Sequence, residues 1–292
     1  MSASSPTPRA VRAVIHRPER AHSPGFRSRA FRLPDGLRLD PFLAFDEFVM
    51  SAPTFPPHPH AGFSAVTFMF EDSPGAFINR DSLGDRSRIA PGALHWTQAA
   101  RGMLHEEIPE VSGVACHGVQ MFVKLSREDE LAPPSAKHLN AEDIPIVTQP
   151  QARVRVVVGE LGETRSPIEG LLTPVRLLDV QIQPKATLSL PAPRGWTCFA
   201  IVAAGSGRCE GEPGAPLGAH DGVLWADEGD TLTLTAGADG LHLLIASGPP
   251  LGEPVVFGGP FALTSNDRVA EAGDRYRRGE MGRLAPSFGG AP

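Results

Sequence analysis

Residues 58–70 read HPHAGFSAVTFMF, a pair of histidines that leads directly into a run of apolar side chains. From residue 65 onward, the larger apolar side chains occupy every second position. The same period of two recurs at residues 153–158, 178–183 and 231–235, and turn-forming triplets such as Ser73-Pro74-Gly75 separate the runs. A period of two places successive side chains on opposite faces of a strand, and frequent turns keep strands short. The sequence therefore predicts an all-β chain of short antiparallel strands.

The composition agrees with a folded chain that contains many turns. The 292 residues include 31 glycines and 30 prolines, while 41% are hydrophobic. That hydrophobic share is enough for a packed core, and it excludes collagen, coiled coils and wholesale disorder. At about 150 residues per domain, the length predicts two domains. The Pro-rich stretch 132–150 marks their boundary, so we expect one domain over residues 1–139 and a second over residues 140–292.

Helical patterns are scarce. Residues 266–280 are predicted to form one C-terminal helix, because Ser265 or Asn266 can cap its start. A weaker pattern indicates a short helix near residue 140. The longest strongly apolar run, residues 198–204, is far shorter than the ~20 residues that cross a bilayer, so no membrane span is expected.

Charge and cysteine content narrow the partners and the compartment. The formal net charge is −6 and the sequence pI is about 5.9, which argues against direct binding to nucleic acid or anionic membranes. Only three of the 27 basic residues are lysines, which is typical of GC-rich coding sequences and favours a bacterial origin. The three cysteines form no CxxC motif, so neither a disulfide framework nor a cysteine zinc site is indicated. Free thiols fit a cytoplasmic location, and the Arg-rich first 38 residues leave an organellar transit peptide as the alternative.

Five of the ten histidines fall between residues 58 and 117, and four residues there have the spacing of metal ligands. His58 and His60 stand two positions apart, and His105 and Glu107 do the same, so each pair points to one face of a strand. Where both strands face one interior, three imidazoles and one carboxylate converge. That donor set suits Fe(II), Mn, Ni, Cu or Zn and leaves two octahedral positions open for substrate or O₂. The alternative is that these are ordinary strand or loop histidines.

Neighbouring side chains are interpreted as structural. His95 and His117 have no partner at matching spacing, so packing or surface roles are expected for both. Glu106 alternates to the other face of its strand and is expected to be solvated. Four apolar side chains are interpreted as barrel core, with the lining of a ligand cavity as the alternative: Phe55, Phe63, Phe68 and Met121.

A weaker copy of the histidine pattern lies in the C-terminal half. Residues 191–196 align with residues 58–63, and residues 240–244 align with residues 102–107 with an offset of one residue. In this register the histidine pair becomes a pair of prolines, the glutamate becomes a leucine, and only His242 survives. We therefore predict two similar domains and one metal per chain, held in the N-terminal half.

The chain carries a set of motifs spread over residues 10–282: DPFL and DEF within 40–48, HPHAGF at 58–63, NRDSLG at 79–84, HWT at 95–97, RGMLHEEIP at 101–109, and GEPV and GPF within 252–261. Together they resemble the pirin family, within the cupin superfamily. The resemblance implies a bicupin, with two antiparallel β-barrels of the jelly-roll type packed face to face. It also implies a monomer with a single non-haem iron in the N-terminal barrel, held by His58, His60, His105 and Glu107.

The same resemblance implies two alternative functions. Some pirins act as quercetin 2,3-dioxygenases, so this chain is expected to cleave a flavonol such as quercetin with O₂, with Glu107 as the base for the substrate hydroxyl. The alternative is a metal- or redox-sensing regulator that binds a protein partner without turnover. Departures from the family pattern at Ala61, Asn79 and Ala100 leave the expected ligands in place but change the surroundings of the pocket.

Overall fold

The computed structural model describes residues 6–288 and shows a two-domain cupin fold built almost entirely from antiparallel strands. The predicted all-β bicupin of the jelly-roll type, with one C-terminal helix, is confirmed. Its sheets remain open at their edges and do not close into barrels.

The N-terminal half is a sandwich of two sheets. Residues 6–139 form the strands β1 (Val11–His16), β2 (Arg20–Ser23), β3 (Phe26–Ala30), β4 (Phe42–Met50), β5 (His58–His60), β6 (Phe63–Met69), β7 (Phe77–Asp81), β8 (Arg88–Ile89), β9 (Leu94–Gln98), β10 (Met103–Pro109), β11 (Cys116–Lys124) and β12 (Ser135–Leu139). One sheet has seven strands in the order β12-β9-β6-β11-β4-β3-β2, and the other has four in the order β5-β10-β7-β8.

The C-terminal half is organised around one nine-stranded sheet. Residues 140–288 form a 3-10 helix (Ala141–Asp143), β13 (Ile146–Gln149), β14 (Ala152–Val158), β15 (Glu160–Leu161), β16 (Thr164–Arg165), β17 (Arg176–Ile182), β18 (Thr187–Pro191), β19 (Thr197–Cys209), β20 (Ala215–Leu217), β21 (Asp221–Trp225), β22 (Thr231–Gly248), β23 (Val256–Gly258), β24 (Phe261–Leu263) and α1 (Asn266–Arg277). The order is β1-β21-β19-β22-β17-β14-β13, with β18 beside β22 and β20 beside β19. The long strand β22 has two different partners along its length, because its first part pairs with β18 and its second part pairs with β17.

An apolar layer between the two halves holds them face to face. Val66 and Phe68 of β6 point into this layer, where they share a buried cluster with Phe199 of β19 and Leu244 of β22. The intervening residue Thr67 faces the interior of the N-terminal half, where it contacts Glu107. Strand β6 is therefore buried on both faces, which explains why its sequence is almost continuously apolar.

Both ends of the chain cross the predicted domain boundary. Strand β1 pairs with β21 and so extends the sheet of the C-terminal half. Conversely, Ala272 of α1 belongs to a buried cluster with Leu104 of β10, in the N-terminal half. The boundary between residues 139 and 140 falls between β12 and the 3-10 helix, and the division of the chain at that point stays a prediction.

The C-terminal helix begins where the sequence predicts it. Its N-cap is Ser265, whose Oγ accepts a hydrogen bond from the backbone N–H of Arg268 at 3.3 Å. It ends at Arg277, three residues before the predicted end. No helix in residues 6–288 has the length and apolar character needed to cross a membrane.

The strand pairing corrects one part of the internal alignment. In the N-terminal half β5 pairs with β10, and the corresponding strand β18 pairs with residues 231–235 of β22. The predicted counterpart, residues 240–244, instead lies in the second part of β22, where His242 pairs with Gln181 of β17. The alignment was wrong because it followed a local similarity around a glycine and a following histidine, whereas cross-strand pairing sets the register of a sheet.

The strand pair that corresponds to the histidine strands is apolar. Leu188 and Leu190 of β18 stand opposite Leu234 and Leu232 of β22, and all four are buried in the core of the C-terminal half. Within the described residues, this core contains no cluster of metal-ligating side chains. The interior of the second half is thus filled by leucine packing where the first half has imidazoles.

Candidate metal centre

Two short strands place the histidines beside one another. Strands β5 and β10 are antiparallel, with His105 opposite His58 and Met103 opposite His60. Because side chains alternate along a strand, His58, His60 and His105 all point to the same face of this pair. Pro59 lies between the first two histidines, and a proline is tolerated there because β5 is the edge strand of its sheet.

The three imidazoles form a compact triangle. Their potential ligand atoms all lie within 4.8 Å of one another. The ring centroids are 4.8 Å apart for His58 and His60, 4.7 Å for His58 and His105, and 4.9 Å for His60 and His105. His60 and His105 are buried, and His58 is partly exposed at the pocket.

The protonation state of the triangle suits metal binding. Burial lowers the pKa of His58, lowers that of His60 to about 3, and lowers that of His105 well below its ordinary value. Neutral imidazoles keep the nitrogen lone pair that a metal needs. Nδ1 of His58 lies 2.9 Å from the carbonyl oxygen of Pro56, and Nδ1 of His60 lies 3.4 Å from that of Pro260. When these Nδ1 atoms carry the proton, Nε2 of both rings remains free as a ligand, so the residues present fit a divalent metal.

Glu107 lies in the same pocket but outside the triangle. Its Oε2 accepts a hydrogen bond from Oγ1 of Thr67 at 2.6 Å, and Thr67 also lies 2.9 Å from the amide oxygen of Gln120. Burial raises the pKa of Glu107 to about 7, although the hydrogen bond from Thr67 opposes this shift. The structure therefore brings three of the four predicted ligands together, whereas the fourth, Glu107, is hydrogen-bonded to the hydroxyl of Thr67. Metal ligation by all four residues stays a prediction.

The histidines and Glu107 open onto a pocket of about 330 Å³. Its walls are mainly apolar and aromatic, formed by Phe26, Phe48, Phe55, Phe77, Phe122 and Met50. Besides the histidines and Glu107, its polar side chains are Ser28, Asp46 and Gln120. Volumes of this order are typical of small-molecule sites. Of the four apolar residues considered from the sequence, Phe55 lines the pocket, whereas Phe63, Phe68 and Met121 are buried in apolar clusters.

Several pocket residues were not predicted from the sequence. Ser28 and Phe26 lie on β3, far from the histidines in sequence, and nothing in their local pattern indicates a site. Asp46 and Phe48 belong to a motif that resembles the pirin family, which was the available signal. Burial raises the pKa of Asp46, against the opposing charge of Arg32.

One prediction about a neighbouring side chain was wrong. Glu106 is fully buried, not solvated, and its Oε2 accepts a 2.6 Å hydrogen bond from Nη2 of Arg80. The backbone N–H of Ser287 donates to the other carboxylate oxygen, Oε1 of Glu106, at 3.2 Å, because the C-terminal segment covers the outer face of β10. The prediction failed because strand alternation identifies the face but not what later covers it. His95 is buried and His117 is paired with Glu47, so both have the structural roles that were expected.

The chain matches two protein-family models and is similar in sequence to known proteins. Residues 26–123 match the family model described as Pirin, and residues 177–282 match the model described as Pirin C-terminal cupin domain. Pirin of Mus musculus is 34% identical over 263 residues, which is 87% of this chain and 87% of that protein.

Solved structures share the fold. A quercetin 2,3-dioxygenase from Acinetobacter baumannii superimposes with a TM-score of 0.83 at 24% identity, over 96% of this chain and 100% of that one. The bacterial pirin YhhW from Escherichia coli, in complex with nickel(II), gives a TM-score of 0.63 at 16% identity, over 82% and 99% of the two chains. The relatives include animal and bacterial proteins, so the bacterial origin of this chain stays a prediction. The two family matches, and the identity with mouse pirin over most of both chains, show that this chain belongs to the pirin family of two-domain cupins.

Proposed function

We propose that this chain is a metal-dependent dioxygenase that cleaves a flavonol such as quercetin. The observation that carries the proposal is the triangle of three neutral imidazoles that opens onto an aromatic pocket with a buried carboxylate beside it. A protein described as a quercetin 2,3-dioxygenase has the same fold, and this shared fold supports the proposal.

One metal per chain would be held by His58, His60, His105 and Glu107. We expect Fe(II), and Mn, Ni, Cu or Zn suit the same nitrogen and oxygen donors. The nickel(II) in the Escherichia coli relative supports a metal in a protein of this fold. When bound, such a metal supplies Lewis-acid stabilisation of a deprotonated hydroxyl and, in a redox-active form, the electron chemistry of O₂.

The protein side chains would bind the substrate and handle its proton. The aromatic walls offer flat apolar surface for a planar ring system, and Ser28, Asp46 and Gln120 offer partners for its hydroxyl groups. Thr67 holds Oε2 of Glu107, which leaves Oε1 to accept the hydroxyl proton of the substrate. The apolar lining also keeps bulk water away from the reacting oxygen.

The test is an aerobic assay on protein loaded with one equivalent of Fe(II). We expect one O₂ consumed per quercetin, because both oxygen atoms enter the product of a dioxygenase. Glu107→Gln should lower kcat by about 10²-fold or more, since it removes both the base and one of the four proposed metal ligands. The matched control is Glu110→Gln, which changes an exposed carboxylate just beyond the same strand and should leave kcat unchanged.

A loaded protein that consumes neither quercetin nor O₂ would contradict the proposal. It would favour the alternative of a metal- or redox-sensing regulator with a protein partner, which can then be sought by pull-down with and without metal.

A further inference from the structure

The molecule pairs some of its buried arginines with carboxylates. Nη2 of Arg17 lies 2.8 Å from Glu47, and Nη1 of Arg155 lies 3.4 Å from Asp179. All four side chains are buried. This pairing is expected, because a buried charge without a counter-charge is strongly destabilising.

Two other buried arginines lack such a partner. Arg9 and Arg176 are 1% and 6% exposed, and within residues 6–288 neither has a carboxylate oxygen within 4.0 Å. Among the described residues, the hydrogen-bond partners of both side chains are backbone carbonyls: Arg9 donates to Trp196 and Pro193, and Arg176 donates to Pro191 at 2.8 Å. The Nε atom of each guanidinium has no hydrogen-bond partner among the described residues.

Arg176 begins a row of polar side chains across the large sheet. It stands opposite Ser247 of β22, and Ser247 in turn stands opposite Cys198 of β19. Oγ of Ser247 is buried and has no hydrogen-bond partner among the described residues. Arg9 lies near this row, since it donates to the carbonyl oxygens of Pro193 and Trp196, in the segment between the acceptor of Arg176, Pro191, and Cys198. Two buried guanidinium groups and a buried hydroxyl without a hydrogen-bond partner among the described residues thus lie in this part of the C-terminal half.

Arg176 lines a cleft of about 970 Å³ in the C-terminal half. Apolar side chains share the wall with it, among them Ile168, Leu171 and Trp196. The cleft therefore has room for a molecule larger than a simple ion, and its wall offers apolar contacts beside Arg176.

In the part of the chain that the structure describes, the other arginines that line the cleft are paired with carboxylates, whereas the buried Arg176 is not. Arg165 pairs with Glu160 at 2.7 Å, and Arg194 pairs with Asp230 at 3.1 Å, so both of these arginines are already neutralised at the rim. Glu169 also lines the cleft, as an exposed carboxylate. An entering anion would meet Arg176 as its partner.

We propose that this cleft is a second ligand site, which binds a small organic carboxylate with an apolar body. The carboxylate pairs with Arg176, because a guanidinium offers a carboxylate charge-assisted hydrogen bonds. The apolar body packs against Ile168, Leu171 and Trp196. This site is separate from the histidine triangle, so it does not depend on the metal or on the proposed dioxygenase activity.

The test uses cyclohexanecarboxylate as the probe, titrated into the full-length protein and followed by tryptophan fluorescence and calorimetry. We expect saturable binding with one carboxylate per chain, and a fluorescence change that disappears in Trp196→Phe. Cyclohexylmethanol, which has the same apolar body without the charge, should bind at least about tenfold more weakly, since a hydrogen bond between charged groups is lost.

Arg176→Gln should weaken binding of the probe by at least about tenfold. The matched control is Arg165→Gln, an exposed arginine on the same cleft, which should leave the affinity within about twofold. His105→Ala should also leave it unchanged, which separates this cleft from carboxylate binding to a metal. Where Arg176→Gln does not fold, the Trp196→Phe and cyclohexylmethanol arms test the proposal on folded protein.

Four outcomes would overturn the proposal. One is the absence of saturable binding at millimolar probe. Another is equal affinity for the acid and the alcohol. The third is loss of binding in His105→Ala with retention in Arg176→Gln. Competition by inorganic phosphate at equal affinity would also contradict it, because it would show a general anion site with no use for the apolar wall.

Discussion

Three imidazoles lie with their ring centroids less than 5 Å apart in the N-terminal half, and burial keeps all three neutral. Protonated rings this close would repel one another, so this arrangement is stable only without the protons or with a ligand between them. The lone pairs of three neutral imidazoles converge at this point, which favours a bound cation as that ligand. This is the residue-scale basis for the metal centre.

The first prediction concerns the metal ligands. His58→Ala and His105→Ala should each lower metal content from about one equivalent to below one tenth, because each removes one of three converging nitrogen donors. Circular dichroism should show that both variants remain folded. The control is His242→Ala, which removes a histidine that lies 2.5 Å from Asp179 in the other half. Retention of tight metal binding by both ligand variants would show that the triangle is not the site.

The second prediction concerns pH and His117. Burial acts to lower its pKa, but the hydrogen bond and charge of Glu47, helped by Asp72, outweigh this and raise the pKa above 6.5. Arg17 and His117 in turn outweigh burial and lower the pKa of Glu47, so that carboxylate stays ionised near neutrality. The stabilising contribution of protonated His117 is therefore fully present below pH 6.5 and declines as pH rises through its folded-state pKa.

The measurement is urea unfolding of chelator-treated protein at several pH values. His117→Gln should reduce the free energy of unfolding by about 1 kcal/mol more at pH 5.5 than at pH 9. A difference that grows with rising pH would contradict the assignment of a charged His117–Glu47 pair.

Sequence spacing predicts the histidine triangle because a period of two fixes which side chains share a face. His58, His60 and His105 could be identified in this way. The same rule places Glu106 on the opposite face. The rule carries no information about the C-terminal segment, which covers Glu106 where it pairs with Arg80. Ser28 and Asp46 could not be placed at the pocket by spacing, since long-range strand pairing brings them there.

At the scale of elements, the turn between β5 and β6 depends on a close approach of two backbones. Gly62 has a φ of +87°, and a Cβ there would lie 2.0 Å from the carbonyl oxygen of Ala262. The backbone N–H of Ala262 also donates to the carbonyl of Ala61 at 3.1 Å. The segment that leads into α1 is thereby fixed against the end of the histidine strand.

The third prediction follows from this contact. Gly62→Ala should lower the free energy of unfolding by about 2–5 kcal/mol, from the unfavourable φ together with the steric overlap. Gly84→Ala is the matched control, because Gly84 has a φ of +98° with nothing within 4 Å of an added Cβ. It should cost only about 1–2 kcal/mol. Denaturant midpoints measure both, and equal losses would show that the close approach contributes nothing.

Elements with a strong local signal could be predicted from the sequence. Helix α1 starts after the predicted cap Ser265, and the apolar period of two marks β6, β14 and β17. The register of β22 could not be predicted, because its pairing with β19 shifts between residues 236 and 241 and its other neighbour changes there from β18 to β17. Local similarity around His242 therefore gave the wrong counterpart for β10.

At the scale of the whole molecule, the two halves are held together by a shared aromatic core. The ring of Phe199 in the C-terminal half is fully buried and meets the rings of Phe31, Phe42 and Phe45 edge-on, at centroid distances of 4.9–5.1 Å. Strand β1 and helix α1 each reach across to the opposite half. A cut of the sequence into two segments cannot show these crossings, because they depend on pairing between distant parts of the chain.

The fourth prediction tests this shared core. Phe199→Ala should lower the free energy of unfolding by about 3–5 kcal/mol, since it removes a buried aromatic ring. Both halves should unfold in one transition, because the same cluster supports both sheets. Phe257→Ala, which changes a side chain that is 64% exposed, should alter stability by less than about 0.5 kcal/mol. Two separated transitions in the wild-type protein would contradict a shared core.

The central claim is that the chain holds one metal, in its N-terminal half. The most direct measurement is elemental analysis of protein purified without chelator and again after anaerobic loading with Fe(II). We predict one equivalent of metal per chain, because the imidazole triangle has a leucine-filled counterpart in the second half. Two equivalents would contradict the single site, and no metal even after loading would show that the histidine triangle does not bind one.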